Sequence, residues 1–132
     1  MIALDRARVA PQVLERLDGL LAWAQATFPE VTVEEPWEFP LIKVRGKILF
    51  MLVAEGATLH FTAKLRESHA DAMDRPNVEP TSHGLGKSGW VTAKASPQWP
   101  IDDAQFHLWA IEAFHLIAPK KLVAAWNAER AE

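Results

Sequence analysis

Apolar residues change their spacing abruptly at Leu41. Before Pro29 they recur every three or four positions, at Ala10, Leu14, Leu17, Leu21, Ala24 and Phe28, and Pro11 suits a first helical turn. This predicts an amphipathic helix ending before Pro29, with Gln12, Glu15, Arg16, Asp18 and Gln25 on its solvated side. From Leu41 the period is two. Ile42 and Val44 alternate with Lys43 and Arg45, Gly46 and Lys47 supply a turn, and Lys47 to Ala54 is nearly all apolar. The last run predicts a strand with neighbours on both sides and most of both faces covered.

The same logic orders the rest of the chain. Pro29, Pro36 and Pro40 restrict Val31 to Val33 to a short or edge strand. After a turn at Glu55-Gly56, Leu59, Phe61, Ala63 and Leu65 take one face of the next strand and His60, Thr62 and Lys64 the other. Arg66 to Arg75 reads as a short helix and Asn77 to Pro80 as extended. Val91, Ala93 and Ala95 then alternate with Trp90, Thr92 and Lys94. Asp102 is the expected N-cap of a helix to Ala118, apolar on nearly every side through Leu108, Trp109, Ile111, Phe114, Leu116 and Ile117. Pro119 opens a final helical segment, Lys120 to Arg130, with Leu122, Val123 and Trp126 available to pack. The expectation is one α+β domain over residues 1–132, a two-layer structure with N- and C-terminal helices on one face of an antiparallel sheet.

Strand alternation has a functional consequence. If Phe61 and Val91 face the helices, Lys43, Arg45, His60, Thr62, Lys64, Trp90, Thr92 and Lys94 gather on the opposite face. Lysines, hydroxyls and one tryptophan suit phosphate contacts combined with base stacking, although antiparallel sheets often leave one face simply wet.

The run His83-Gly84-Leu85-Gly86-Lys87-Ser88-Gly89-Trp90 contains two partial phosphate motifs. Gly86-Lys87-Ser88 matches the end of a P-loop, but Thr81 stands where its first glycine belongs. Gly84-x-Gly86-x-x-Gly89 matches the dinucleotide fingerprint, which needs a helix directly afterwards, whereas a strand pattern follows here. A tightly turned connection is therefore expected.

Composition narrows the classes further. A formal charge of −3 argues against a surface that attracts nucleic acid everywhere, while leaving room for a local basic face. The absence of cysteine removes disulfides, thiolate nucleophiles and Cys-based zinc sites, and suits a reducing compartment. No stretch is long and apolar enough for a membrane span, so a cytoplasmic protein is expected. His60, His69, His83, His107 and His115 form no i, i+4 pair or His-Glu-x-x-His arrangement, and no metal or cofactor is expected. No serine elbow and no spaced carboxylate pair marks a catalytic centre, and the chain reads as non-enzymatic.

Several loose motifs occur in a telling order. Pro36-Trp37-Glu38-Phe39-Pro40-Leu41-Ile42-Lys43-Val44-Arg45-Gly46-Lys47 comes first, then the Leu59 to Leu65 strand, then His83 with Trp90 seven positions on, then Pro119-Lys120-Lys121-Leu122. This order resembles the MmcQ/YjbR family over about residues 12 to 126, which leaves residues 1–10 as an N-terminal extension. The resemblance implies a frataxin-like, CyaY-type fold and weak DNA binding without enzymatic activity. It departs at His83, where tyrosine is frequent in the family, and in its glycine-richer turn. Iron binding, as in frataxin-like proteins, is not expected, because the first helix offers only Glu15 and Asp18 beside Arg16.

The residues expected to meet nucleic acid are Lys43, Arg45, His60, Lys64, His83, Lys87, Trp90 and Lys94. The partner is DNA or RNA, held weakly and in a salt-dependent manner, with no membrane involved. Two other readings stay open: a protein-interaction module using the same face or the Glu35 to Pro40 segment, and a small-molecule enzyme built on His83, Lys87 and Ser88.

Overall fold

The computed structural model describes residues 8–35 and 39–131. Helix α1 (Pro11–Thr27) leads into strands β1 (Val31–Glu34), β2 (Leu41–Val44), β3 (Lys47–Glu55) and β4 (Thr58–Lys64). Helix α2 (His69–Met73), β5 (Val78–Pro80), a short 3-10 turn, β6 (Trp90–Ala95), α3 (Asp103–Ile117) and α4 (Lys120–Ala131) follow. The six strands form one antiparallel sheet in the order β1-β2-β3-β4-β6-β5, giving the expected α+β architecture.

Register decides which side chains meet the helices. Residues paired across antiparallel strands point to one face. Leu52 pairs with Phe61 and Phe61 with Ala93, while Phe50 pairs with Ala63 and Ala63 with Val91. All of these are buried in the single core cluster, together with Val13, Leu17, Leu20 and Ala24 of α1 and Phe106, Trp109, Ala110, Ala113 and Phe114 of α3. An aromatic chain ties the layers together. Phe50 stacks on Phe61 at 5.2 Å, Phe61 on Phe106 at 4.8 Å, and Phe28 on Phe114 at 4.9 Å. Trp126 of α4 closes on Phe114 at 5.1 Å, and its indole N–H donates to the Thr27 carbonyl at 2.8 Å.

Four local expectations are corrected. The buried stripe of α1 runs through Val13, Leu17, Leu20 and Ala24, with Leu14 and Leu21 only packed against its border. Both sets fit a helical period, and the rotation is consistent with the tie between α1 and the start of α3. Arg16 donates to Asp103 at 2.8 Å and to the Ile101 carbonyl at 2.6 Å. Helix α3 is not buried all round, because Leu108 is 63% exposed and burial follows one stripe from Phe106 to Phe114. Its N-cap is as expected: the Asp102 carboxylate accepts from the Gln105 amide at 2.9 Å.

The third correction concerns the β2–β3 hairpin. Its turn is Arg45-Gly46 rather than Gly46-Lys47, with φ of 47° and 82°, the paired positive values of a type I′ turn. Arg45 therefore leaves the strand. Fourth, β3 contains a bulge. Ile42 pairs with Phe50 but Lys43 pairs with Ile48, so Leu49 is the extra residue, and both Leu49 and Phe50 are buried. Beyond the bulge, Met51 and Val53 are only half-buried, so β3 is covered on one face rather than most of both.

Candidate nucleic-acid interface

Opposite the helices, the sheet presents Met51 and Val53 from β3, His60, Thr62 and Lys64 from β4, and Trp90, Thr92 and Lys94 from β6. The expected alternation is present on both β4 and β6. A ladder of hydroxyls crosses this face. Thr62 and Thr92 Oγ1 atoms lie 3.0 Å apart, and Thr81, just after β5, approaches Thr92 at 3.1 Å. Thr62 is the only buried polar residue among those described, and this partner satisfies it. Toward β2 the face is less open, since Leu41, opposite Met51, is 2% exposed.

The eight sequence-derived residues divide into groups. Lys43, His60, Lys64, Trp90 and Lys94 share the helix-free face through the β2–β3, β3–β4 and β4–β6 registers. Arg45 sits in the hairpin turn, where its guanidinium makes two hydrogen bonds to the Glu30 carboxylate at 2.8 and 2.9 Å. That contact holds Glu30 below its ordinary carboxylate range and raises Arg45. His83 and Lys87 lie in the exposed β5–β6 connection.

Ion pairs reduce the basic character of the face. Lys43 pairs with Glu34 at 3.3 Å and Lys94 with Glu79 at 2.8 Å. Exposed pairs of this kind are worth little and open readily, but each carboxylate still offsets the local positive potential. Among the described residues, no ion pair engages Lys64 or Lys87. Lys64 stands directly opposite Trp90 in the β4–β6 register. Burial, with Lys94 and its positive charge opposite, lowers the His60 pKa from the ordinary imidazole value and so favours the neutral ring.

The glycine-rich connection has a structural explanation. Gly84 and Gly89 bracket one 3-10 turn, Leu85–Ser88, with φ of 81° and 93°. A Cβ on Gly89 would stand 2.7 Å from the Leu65 carbonyl oxygen, and the Gly89 carbonyl accepts from the Leu65 amide at 3.0 Å. A Cβ on Gly86 would meet the Pro80 Cβ at 2.7 Å. The strand β6 follows at once, so the long helix that a P-loop or dinucleotide fingerprint requires is missing from this position. His83, Lys87 and Ser88 are all exposed, and no hydrogen bond among the described residues links them into a nucleophile-and-base pair.

Several other polar residues have structural partners. Glu112 accepts from the Arg66 and Ser68 amides at 2.7 and 3.2 Å and from the Ser68 hydroxyl at 2.7 Å, which anchors the β4–α2 connection to α3. His107 stacks on Trp23 at 3.9 Å, and the ring nitrogens of His115 lie 2.9 Å from the Ile111 carbonyl and 3.0 Å from the Asn127 side chain. Among the described residues no three His, Asp or Glu side chains gather as metal ligands, and no helix is long and apolar enough to cross a membrane. Much of the Glu35–Pro40 segment lies outside the described residues.

One feature at the far end of the helix-free face escaped sequence reasoning. A cleft of about 580 Å³ opens between the β3–β4 hairpin and the loop after β6, with His60, Asn77, Lys94, Ser96 and Trp99 on its walls. Asn77 and Trp99 fall in segments without periodicity, and only the paired strands bring them to His60. In comparison with known proteins, no family model matches the chain and no curated protein matches it.

Proposed function

We propose that this chain is a non-enzymatic cytoplasmic domain of the MmcQ/YjbR type that binds single-stranded nucleic acid weakly across the helix-free face of its sheet. The observation carrying this reading is the juxtaposition of half-buried Trp90 with Lys64, a lysine that no carboxylate among the described residues engages. Lys87 stands three residues before Trp90, at the end of the 3-10 turn. A base stacked on the indole would place its backbone near these ammonium groups, and Thr92 adds a hydroxyl two positions along β6. Lys43, Arg45 and Lys94 contribute less, because each already has a carboxylate partner.

The test is titration of labelled single-stranded and duplex DNA over a range of salt. Two phosphate contacts give a log–log salt slope of about −1.4 for single strands, with affinity no tighter than about micromolar. Absence of salt-dependent binding up to about 100 µM protein removes this reading, and a protein-interaction role for the same face takes its place.

A further inference from the structure

We propose that the cleft beside His60 is a subsite for one nucleobase-type heteroaromatic ring, stacked on Trp99 with its polar edge against His60 and Asn77.

Trp99 is held in place before any ligand arrives. Its amide donates to the Ser96 carbonyl at 3.1 Å, and its carbonyl accepts from the Ser96 amide at 3.1 Å. A further contact links the Trp99 amide to the Ser96 hydroxyl at 3.2 Å. These bonds fix the Trp99 backbone at the rim of the cleft, while the residue remains 44% exposed. An exposed indole on a cleft wall, carried on an anchored backbone, offers a flat apolar face on which an aromatic ring can stack.

The facing polar groups keep hydrogen-bonding atoms open to the cleft. The Asn77 amide nitrogen donates to the Lys94 carbonyl at 2.8 Å and to the Trp99 carbonyl at 3.2 Å. That commits the amide orientation and leaves Oδ1 as an acceptor with no donor among the described residues. The His60 ring has no hydrogen-bond partner among the described residues. Its lowered pKa keeps it neutral near pH 7, so it presents one donor and one acceptor. Neutral donors and acceptors beside a stacking wall match the edge of a heteroaromatic base better than an aliphatic or purely anionic ligand. Lys94, paired with Glu79 at 2.8 Å, stands at the same cleft, where a phosphate attached to the base could compete for the ammonium. A cleft of about 580 Å³ has room for a mononucleotide.

The base could belong to a free nucleotide or to an unpaired position in a strand lying on the adjoining sheet face. This subsite shares its sheet face with the proposed function but does not require that function to hold. The test is an NMR titration of the ¹⁵N-labelled full chain with AMP, CMP, ribose 5-phosphate and a short single-stranded oligonucleotide. The expected result is a shift of the Trp99 indole and Asn77 side-chain amide signals with AMP or CMP, or with the oligonucleotide, and none with ribose 5-phosphate. Trp99→Ala should weaken that response about tenfold or more, whereas Trp99→Phe retains most of it. Response to mononucleotides identifies a free-nucleotide source, and response only to the oligonucleotide identifies a strand. Oligonucleotide binding that depends on Trp90 but not on Trp99 overturns the subsite while sparing the sheet-face reading. Equal shifts with ribose 5-phosphate, or no shift at these two side chains with any probe up to about 10 mM, also overturn it.

Discussion

Trp90 and Lys64 are directly paired across β6 and β4, at the end of the sheet where the glycine-rich connection arrives. An indole beside an uncompensated ammonium is the smallest arrangement that can both stack on a base and meet its phosphate. Trp90→Ala should weaken single-stranded DNA binding by about 1–3 kcal/mol and affect duplex binding less. Lys64→Ala should instead flatten the salt slope by roughly one contact. If Trp90 only packs against the sheet, its removal lowers the denaturation midpoint and leaves DNA titrations unaltered.

The core helix supplies a stability prediction. Trp109 and Phe114 are 2% and 0% exposed and stand in the aromatic chain that joins sheet and helices. Truncating either to alanine should cost on the order of 3–5 kcal/mol in denaturant melts. Leu108→Ala, on the same helix but 63% exposed, should stay within about 0.5 kcal/mol.

The glycines of the β5–β6 connection should behave unequally. Gly84→Ala meets only the backbone strain of φ 81°, with no atom near its new Cβ, and should cost about 1–2 kcal/mol. Gly89→Ala adds a 2.7 Å clash with the Leu65 carbonyl to a φ of 93° and should cost clearly more. Thermal melts rank the two. An equal, small loss for both would mean that the connection is not packed against the end of β4.

His60 gives a pH signature. Its folded pKa is lowered by burial and by Lys94, so between that value and about 6.5 the unfolded chain binds a proton that the folded chain does not. Stability should therefore rise with pH through this window and level off above it. His60→Gln should remove that portion of the pH dependence, measured as the difference between wild-type and variant denaturation curves at several pH values.

Much of the fold was legible locally because a strand's period of two and a helix's period of 3.6 are properties of consecutive residues. Leu59, Phe61, Ala63, Val91 and Ala93 point to the core as their alternation predicts, and Asp102 caps α3 as its position predicts. The proline-bounded Val31–Glu34 segment lies at one edge of the sheet, and β5, which ends at Pro80, lies at the other.

Other features depended on residues far apart in the chain. Periodicity leaves the rotation of α1 free within its broad apolar side, and contacts with the rest of the molecule, among them Arg16 with Asp103, accompany the choice of Val13 and Leu20 over Leu14 and Leu21. Nothing in the run Lys47 to Ala54 marks Leu49 as the bulged residue, because a bulge is a mismatch between two strands. The electrostatics were decided in the same way. Alternation alone set Lys43, Lys64 and Lys94 on one face, but pairing with Glu34 and Glu79, residues on neighbouring strands, left only Lys64 of the three uncompensated. Trp99 and Asn77 lie 22 positions apart, and the sheet that joins β5 to β6 brings them to one cleft with His60. On the regular strands β4 and β6 the sequence by itself determined which side chains share a face, since that follows from bond geometry along the chain. Only the tertiary structure decided which charges are neutralised and where a cavity forms, since those depend on what each residue meets across space.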